Sequence, residues 1–168
     1  MHLSQVVIFE VFGEVKMFNS DTWKEGERLT REHMKKHGYR ILYTNYSCVG
    51  VELDIVALYP KKFQIHNLKQ ELKMKCKASN SKEEKAVLKK VFKEKIKETN
   101  DLLVVTEVKA RENSKFGTGA EAVTLAKQKH IIRGTEFLMK NKEFQGLNVR
   151  FDVSSVDSGV VSYIENAF

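Results

Sequence analysis

Proline occurs once in the 168 residues, cysteine twice, and no apolar run approaches the roughly 20 residues a membrane-spanning helix needs. Each scarcity removes a class of answer. Cys48 and Cys76, without CxxC spacing or a Cys/His cluster beside them, support neither a zinc site nor a disulfide framework, and suggest free thiols in a reducing cytoplasm. The apolar run Val6 to Phe9 has no basic region before it and Glu10 directly after it, a poor secretion signal. No low-complexity linker or internal repeat divides the chain, so residues 1–168 are expected to form a single domain.

Lysine, by contrast, is abundant and unevenly placed. Between Pro60 and Thr99 there are thirteen lysines, five carboxylates and no arginine, a balance of +8 within a chain whose net charge is +7. The rest of the chain therefore sums to −1. Clustered lysines can neutralise phosphates and release their counterions, although a solvated helix face gives the same pattern.

Apolar patterning gives the elements. Residues 5–12, with Gly13 and a return along Glu14 to Phe18, suggest an extra N-terminal strand or hairpin within residues 1–20. The caps in Asn19 to Thr22 and the stop at Gly38 delimit a first helix, with Trp23, Leu29 and Met34 on its apolar side. Arg40 to Tyr46 and Val51 to Tyr59 form a predicted antiparallel hairpin. Inside the basic insertion, residues 60–100, Ser81 to Thr99 suggests a capped helix with Val87, Leu88, Val91, Phe92 and Ile96 on one stripe. Leu102 to Lys109 is a buried strand, Ala120 to Lys142 a third helix weakened at Gly134, and Leu147 to Val156 and Val160 to Ile164 the closing strands. His33 and His37 have ligand-like spacing but no third ligand, and Trp23 and Phe151 are expected in the core.

Two strands carry unusual charge. Val51-Glu52-Leu53-Asp54 places Glu52 and Asp54 on one side of the first, and Glu107-Val108-Lys109 places Glu107 and Lys109 on one side of the second. An ionised carboxylate in such an apolar run is costly unless it is paired or binds a metal. Asp54 and Glu107 are oxygen donors suited to Mg²⁺ or Mn²⁺, the Val108 carbonyl supplies a further oxygen, and Glu27 on the first helix a third carboxylate. Lys109 can orient or help deprotonate a water and stabilise charge on a phosphate. The alternative from these residues alone is a structural salt bridge such as Asp54 with Lys109. The E-x-K triplet is weak by itself, since it also occurs at Glu14-Val15-Lys16 and Glu71-Leu72-Lys73.

The order of motifs is more specific. Gly26-Glu27, His37-Gly38-Tyr39-Arg40, Asn45, Val51-Glu52-Leu53-Asp54-Ile55-Val56, Glu107-Val108-Lys109-Ala110-Arg111, Phe116-Gly117, Glu121-Ala122-Val123-Thr124, Lys127, Arg150-Phe151-Asp152-Val153 and Ile164-Glu165-Asn166 together resemble the YraN-like family of small bacterial proteins. That family is similar in fold to Holliday-junction resolvases and PD-(D/E)XK nucleases. The resemblance implies an α/β fold with a restriction-endonuclease-like αβββαβ core, a mixed central sheet flanked by helices, and a lysine-rich helical insertion. It implies catalytic roles for Glu27, Asp54, Glu107 and Lys109, with Glu52 in support, and a Mg²⁺ or Mn²⁺ cofactor. Arg111, Lys127 and Lys129, with Lys89 and Lys93 on the inserted helix, are the candidate nucleic-acid contacts. The chain departs from the family in its insertion, in its longer start and in Val51, where a glycine is usual.

Two functions follow as expectations. The first is a metal-dependent endonuclease acting on structured or branched DNA, cytoplasmic, with no membrane partner, and a homodimer by analogy with resolvases. The second is a non-catalytic nucleic-acid-binding or assembly module that keeps the nuclease fold.

Overall fold

The computed structural model describes residues 6–8, 22–111 and 123–168. The expected return strand at 14–18, the loop before residue 123 and the start proposed for the third helix at Ala120 lie outside the described residues. In chain order the elements are β1 (Val6–Ile8), α1 (Thr22–Lys36), β2 (Arg40–Cys48), β3 (Val51–Tyr59), α2 (Lys61–Ala78), α3 (Lys82–Glu98), β4 (Leu102–Arg111), α4 (Leu125–Leu138), β5 (Asn148–Asp157) and β6 (Val160–Ile164). The strands form one mixed sheet in the order β1-β6-β5-β4-β3-β2, in which only β4 and β5 run parallel.

Alternation along the buried strands sorts the core into two layers. Leu103 and Val105 of β4 face α4, packing with Ile131 and Leu138. Val104, with Ile55 and Ala57 of β3, faces α1 and Met34. Helix α1 approaches the sheet very closely: a Cβ on Gly26 would sit 2.6 Å from the Ala110 Cβ. A side chain at residue 26 would push α1 off β4. Gly134 has a similar function on the other face, where a Cβ would lie 3.1 and 3.2 Å from Val51 and Leu53 side-chain atoms. The glycine that weakens α4 as an isolated helix is what lets α4 pack on β3.

The basic insertion is two helices rather than the one expected. Helix α2 starts after Pro60 without a capping side chain, and none of its residues is fully buried, which is why no apolar stripe announced it. Ser81 caps α3 as expected, its side chain accepting from the Glu84 N–H. On α3, Phe92 is buried and Leu88 and Ile96 are partly so, whereas Val87 and Val91 are exposed. The two helices pack on each other and join the body at their base. There the Lys61 N–H donates to Asp101 Oδ1 at 2.6 Å, and Gln64 Nε2 donates to the Tyr59 and Asn100 carbonyls at 2.8 and 2.7 Å.

Three other expectations have plain outcomes. Trp23 is 53% exposed at the first turn of α1 and is not a core residue. Phe151 packs against the α4-side core and stacks on Phe168. His33 and His37 stack on each other with ring centroids 4.2 Å apart, and burial first, then the charges of His37 and Lys36, push the His33 imidazole down to about 4. Both cysteines are free thiols, and among the described residues no helix is long and apolar enough to cross a membrane.

Candidate active site

The β3–β4 ladder ends at the pair Ile55 and Thr106. Beyond it β3 leaves its neighbour, and the Asp54 side chain fills the gap: its Oδ2 accepts the Val108 N–H at 2.7 Å. On β2, opposite Asp54, Asn45 adopts a left-handed conformation with φ of 52°, costly for a residue with a side chain and accordingly a mark of a constrained site. This distortion separates two residues expected to act together. Glu52 is exposed, whereas Asp54 is turned into the gap.

Because a strand residue aims its N–H and C=O at the same neighbour, the Val108 carbonyl faces this gap as its N–H does. From the next position of β4, Glu107 projects on the α4 side with only 3% exposure. Lys109 Nζ donates to Glu107 Oε1 at 2.6 Å. The salt-bridge alternative therefore has the wrong partner, since Lys109 is on Glu107 rather than Asp54. Lys127, in the first turn of α4, brings its Nζ to 3.1 Å from Glu107 Oε2. The contact has an ion-pair distance but no hydrogen-bond geometry. Oε2 is thus the buried side-chain oxygen left without a hydrogen-bond donor among the described residues.

Glu27 arrives from α1 on the other side of the gap. It is 8% exposed, and its Oε2 accepts from Asn45 Nδ2 at 3.2 Å and lies 3.5 Å from Arg31 Nη1. Glu107 and Glu27 are both close enough to act on Asp54. Burial pushes the Asp54 carboxyl up to about 6; Glu107 and, more weakly, Glu27 add to the rise, while the Val108 N–H and Lys127 oppose it.

Asp54, Val108, Glu107, Lys109 and Lys127 are linked around one gap, and Glu27 is at its edge, held by Asn45 and acting on Asp54 through its charge. Lys129 is exposed on α4. Arg111 ends β4, its side chain outside the described residues. Lys89 and Lys93 are elsewhere: α2 and α3 spring from Tyr59 and Leu102, five ladder positions from Asp54 and Glu107, roughly 17 Å at the usual rise per strand residue. Sequence reasoning missed the direct contact of Lys127 with Glu107 and the strained role of Asn45. For Lys127 the only signal was its place in the motif order.

Whether these residues suit a divalent cation can be judged from their donors. Among the described residues no three His, Cys, Asp or Glu side chains are gathered as a ready-made metal cluster. Mg²⁺ and Mn²⁺ do not require one, since one or two carboxylates with waters suffice. Glu107 Oε2, which pairs with Lys127 but accepts no hydrogen bond among the described residues, the Asp54 carboxylate and the Val108 carbonyl form a hard-oxygen set that fits.

Comparison with known proteins adds the lineage. Residues 26–156 match the model of "Uncharacterised protein family UPF0102". A UPF0102 protein of Caldicellulosiruptor saccharolyticus is 30% identical over 149 residues, covering 85% of this chain and 92% of the relative. One of Saccharophagus degradans is 27% identical over 151 residues, with 89% and 94% covered. One of Clostridium botulinum is 26% identical over 160 residues, with 92% and 98% covered. The match takes in Glu27, Asp54, Glu107 and Lys109 together, and the chain belongs to the UPF0102 family, the YraN-like family its motifs resemble.

Proposed function

We propose that this protein is a divalent-metal-dependent endonuclease that hydrolyses phosphodiester bonds in structured or branched DNA, on a restriction-endonuclease-like core. The observation that carries the proposal is the gap at the end of the β3–β4 ladder. There a buried carboxylate, one of whose oxygens accepts no hydrogen bond among the described residues, a second carboxylate of raised pKa and a lysine meet. The element order supports the fold assignment: α1, β2, β3, β4, α4 and β5 follow the αβββαβ succession once the α2–α3 insertion is set aside.

Asp54, Glu107 and the Val108 carbonyl would hold Mg²⁺ or Mn²⁺, with Glu27 acting directly or through a water. The bound ion would supply Lewis-acid charge for a phosphate oxygen and lower the pKa of a water. The protein's own contribution is positional. The Val108 N–H holds Asp54 in the gap, and Lys109, 29% exposed at its side chain, is placed between buried Glu107 and solvent. From there its ammonium can orient the attacking water and offset charge on the phosphate. Lys127, Lys129 and Arg111 would position the phosphate backbone. DNA as the polymer, and a homodimer as the working unit, are parts of the same proposal.

One observation favours the second reading, a non-catalytic nucleic-acid-binding or assembly module. Two ammonium groups, from Lys109 and Lys127, already offset Glu107. An activity panel separates the two. Linear, flapped and four-way DNA are incubated with wild type and Lys109→Ala in Mn²⁺. Cleavage by wild type that the variant loses supports the enzyme; no cleavage of any substrate by wild type sinks it.

A further inference from the structure

The basic insertion has a geometry that its composition does not reveal. On α2, Lys62, Lys69, Lys73 and Lys77 are spaced i, i+7, i+11, i+15, and on α3 Lys82, Lys89, Lys93 and Lys97 repeat that spacing. At about 100° per residue each set occupies an arc of about 80° on one flank of its helix. Leu68 and Leu72 of α2, and Leu88, Phe92 and Ile96 of α3, mark the faces the two helices turn toward each other. In both helices the lysine flank is displaced from that face by roughly 100° in the sense of increasing residue number. Residues 79–81 join the helices as an antiparallel pair, so equal displacements bring both flanks to the same side.

All eight lysines are exposed. Lys97 pairs with Glu94, and Lys62 lies over the Phe63 ring. Among the described residues Lys69, Lys73, Lys77, Lys82, Lys89 and Lys93 have no carboxylate partner. Of the exposed apolar side chains of the hairpin, Val87 and Val91 of α3 fall roughly opposite the lysine flank, whereas Phe63 and Met74 of α2 lie about 80–100° round from it. The face of α2 that carries Phe63 and Asn67 leans on the body: a Cβ on Gly38 would meet the Phe63 ring at 2.7 Å, and Asn67 Nδ2 donates to the Tyr59 hydroxyl at 2.6 Å. The lysine flank of α2, about 100° round from that face, is left exposed, as is that of α3.

We propose that this lysine ridge is a docking surface for the phosphate backbone of nucleic acid, separate from the Asp54–Glu107 gap. The inference rests on the proposed function for the class of polymer and not for the chemistry. Lys62 to Lys77 extend along about 22 Å of helix, the length of about six nucleotides at 3.4 Å each. The absence of arginine from residues 60–99 suits point-charge contact with phosphates rather than bidentate reading of bases. A membrane surface is the weaker match. An interfacial helix immerses a wide apolar face opposite its basic one, whereas the hairpin turns Leu68, Leu72, Leu88, Phe92 and Ile96 inward and Phe63 toward the body.

The test is binding of a 24-base-pair duplex of arbitrary sequence to the full chain, in EDTA, by fluorescence anisotropy from 50 to 200 mM KCl. K69Q/K73Q/K89Q/K93Q is expected to bind at least tenfold more weakly at 100 mM, with a log K against log salt slope shallower by about 3. K35Q/K36Q/K140Q/K142Q, with the same charge change outside the hairpin, is expected to bind like wild type. Far-UV circular dichroism checks that both variants are folded. Unchanged binding by the hairpin variant, or an equal loss in the control, overturns the ridge. So does a tenfold loss of binding to phosphatidylserine vesicles, measured alongside by sedimentation, with duplex binding unchanged. DNA cleavage by wild type with unaltered binding by the hairpin variant would remove the ridge and leave the Asp54 site standing; the converse would do the reverse.

Discussion

Two buried acidic clusters lie on adjacent strands of the same sheet, and they are satisfied to very different degrees. On β5, Asp152 is fully buried, and both its oxygens are taken. Arg150 donates to each at 2.8 Å, the Tyr163 hydroxyl donates at 2.8 Å and the Asn166 N–H at 2.9 Å. The network continues through Thr106, Tyr39 and Glu165 and closes on itself. Among the described residues, Asp54 at the β3–β4 gap has one backbone donor, and Glu107 Oε2 has the Lys127 ammonium at 3.1 Å but accepts no hydrogen bond. A closed network fixes structure, because each buried polar group is already partnered. An open one costs stability unless something binds, which makes the gap, not Asp152, the place to look for chemistry.

The largest expected effect comes from breaking the closed cluster. Asp152→Ala leaves Arg150 buried without its bidentate partner, and a loss of about 3–5 kcal/mol is expected in urea or thermal denaturation. A loss under 1 kcal/mol would erase the contrast between the clusters. Next is Lys109→Ala, expected to reduce Mn²⁺-dependent cleavage at least about 100-fold, the usual scale for a positioned proton-transfer or charge-stabilising group, and to cost about 1–3 kcal/mol of stability because buried Glu107 loses the donor on Oε1. Equal activity in the variant would return Lys109 to the status of a plain ion-pair partner.

Asp54→Asn sharpens the comparison through pH. The folded-state pKa of Asp54, raised to about 6, exceeds the unfolded value near 3.9. Folding therefore favours its protonated form; the stabilisation is fully present below about pH 4 and is lost as pH rises through 6. Asparagine keeps an oxygen for the Val108 N–H without the charge. The variant should thus be more stable than wild type by about 1–3 kcal/mol at pH 7.5, with the gain shrinking toward zero near pH 4. Chemical denaturation across that range measures the difference, and the paired design cancels the titration of Asp152, whose pKa burial also raises. A gain independent of pH would mean that Asp54 is not the titrating group. The smallest effect is expected at Lys129: Lys129→Ala should change stability by less than about 0.5 kcal/mol and weaken duplex binding only a few-fold.

Much of the sheet was legible in the sequence because Val51–Tyr59 and Leu102–Arg111 are apolar runs with little else they could form. Their charges were legible as an anomaly for the same reason. Where Asp54 points was not: two-residue alternation puts Glu52 and Asp54 on one side, and only the kink at Asn45 and the departure of β3 from β4 separate them. Lys127 was visible as a cation but not as the neighbour of Glu107, since tertiary packing of α4 brings them together. Trp23 was misplaced because its aromatic bulk suggested burial, while α1 meets the sheet through Gly26, Glu27, Thr30 and Met34. Helix α2 went unseen because it buries no residue fully and its partner is another lysine-rich helix.

The central claim, that the open cluster is a divalent-metal site, is tested most directly by titrating Mn²⁺ into wild type and Asp54→Asn at pH 7.5 and pH 5 by calorimetry. One site per chain is expected in wild type, at least tenfold weaker at pH 5, where the raised Asp54 pKa makes protons compete, and absent from the variant. No binding at millimolar Mn²⁺, or equal binding by Asp54→Asn, would contradict it.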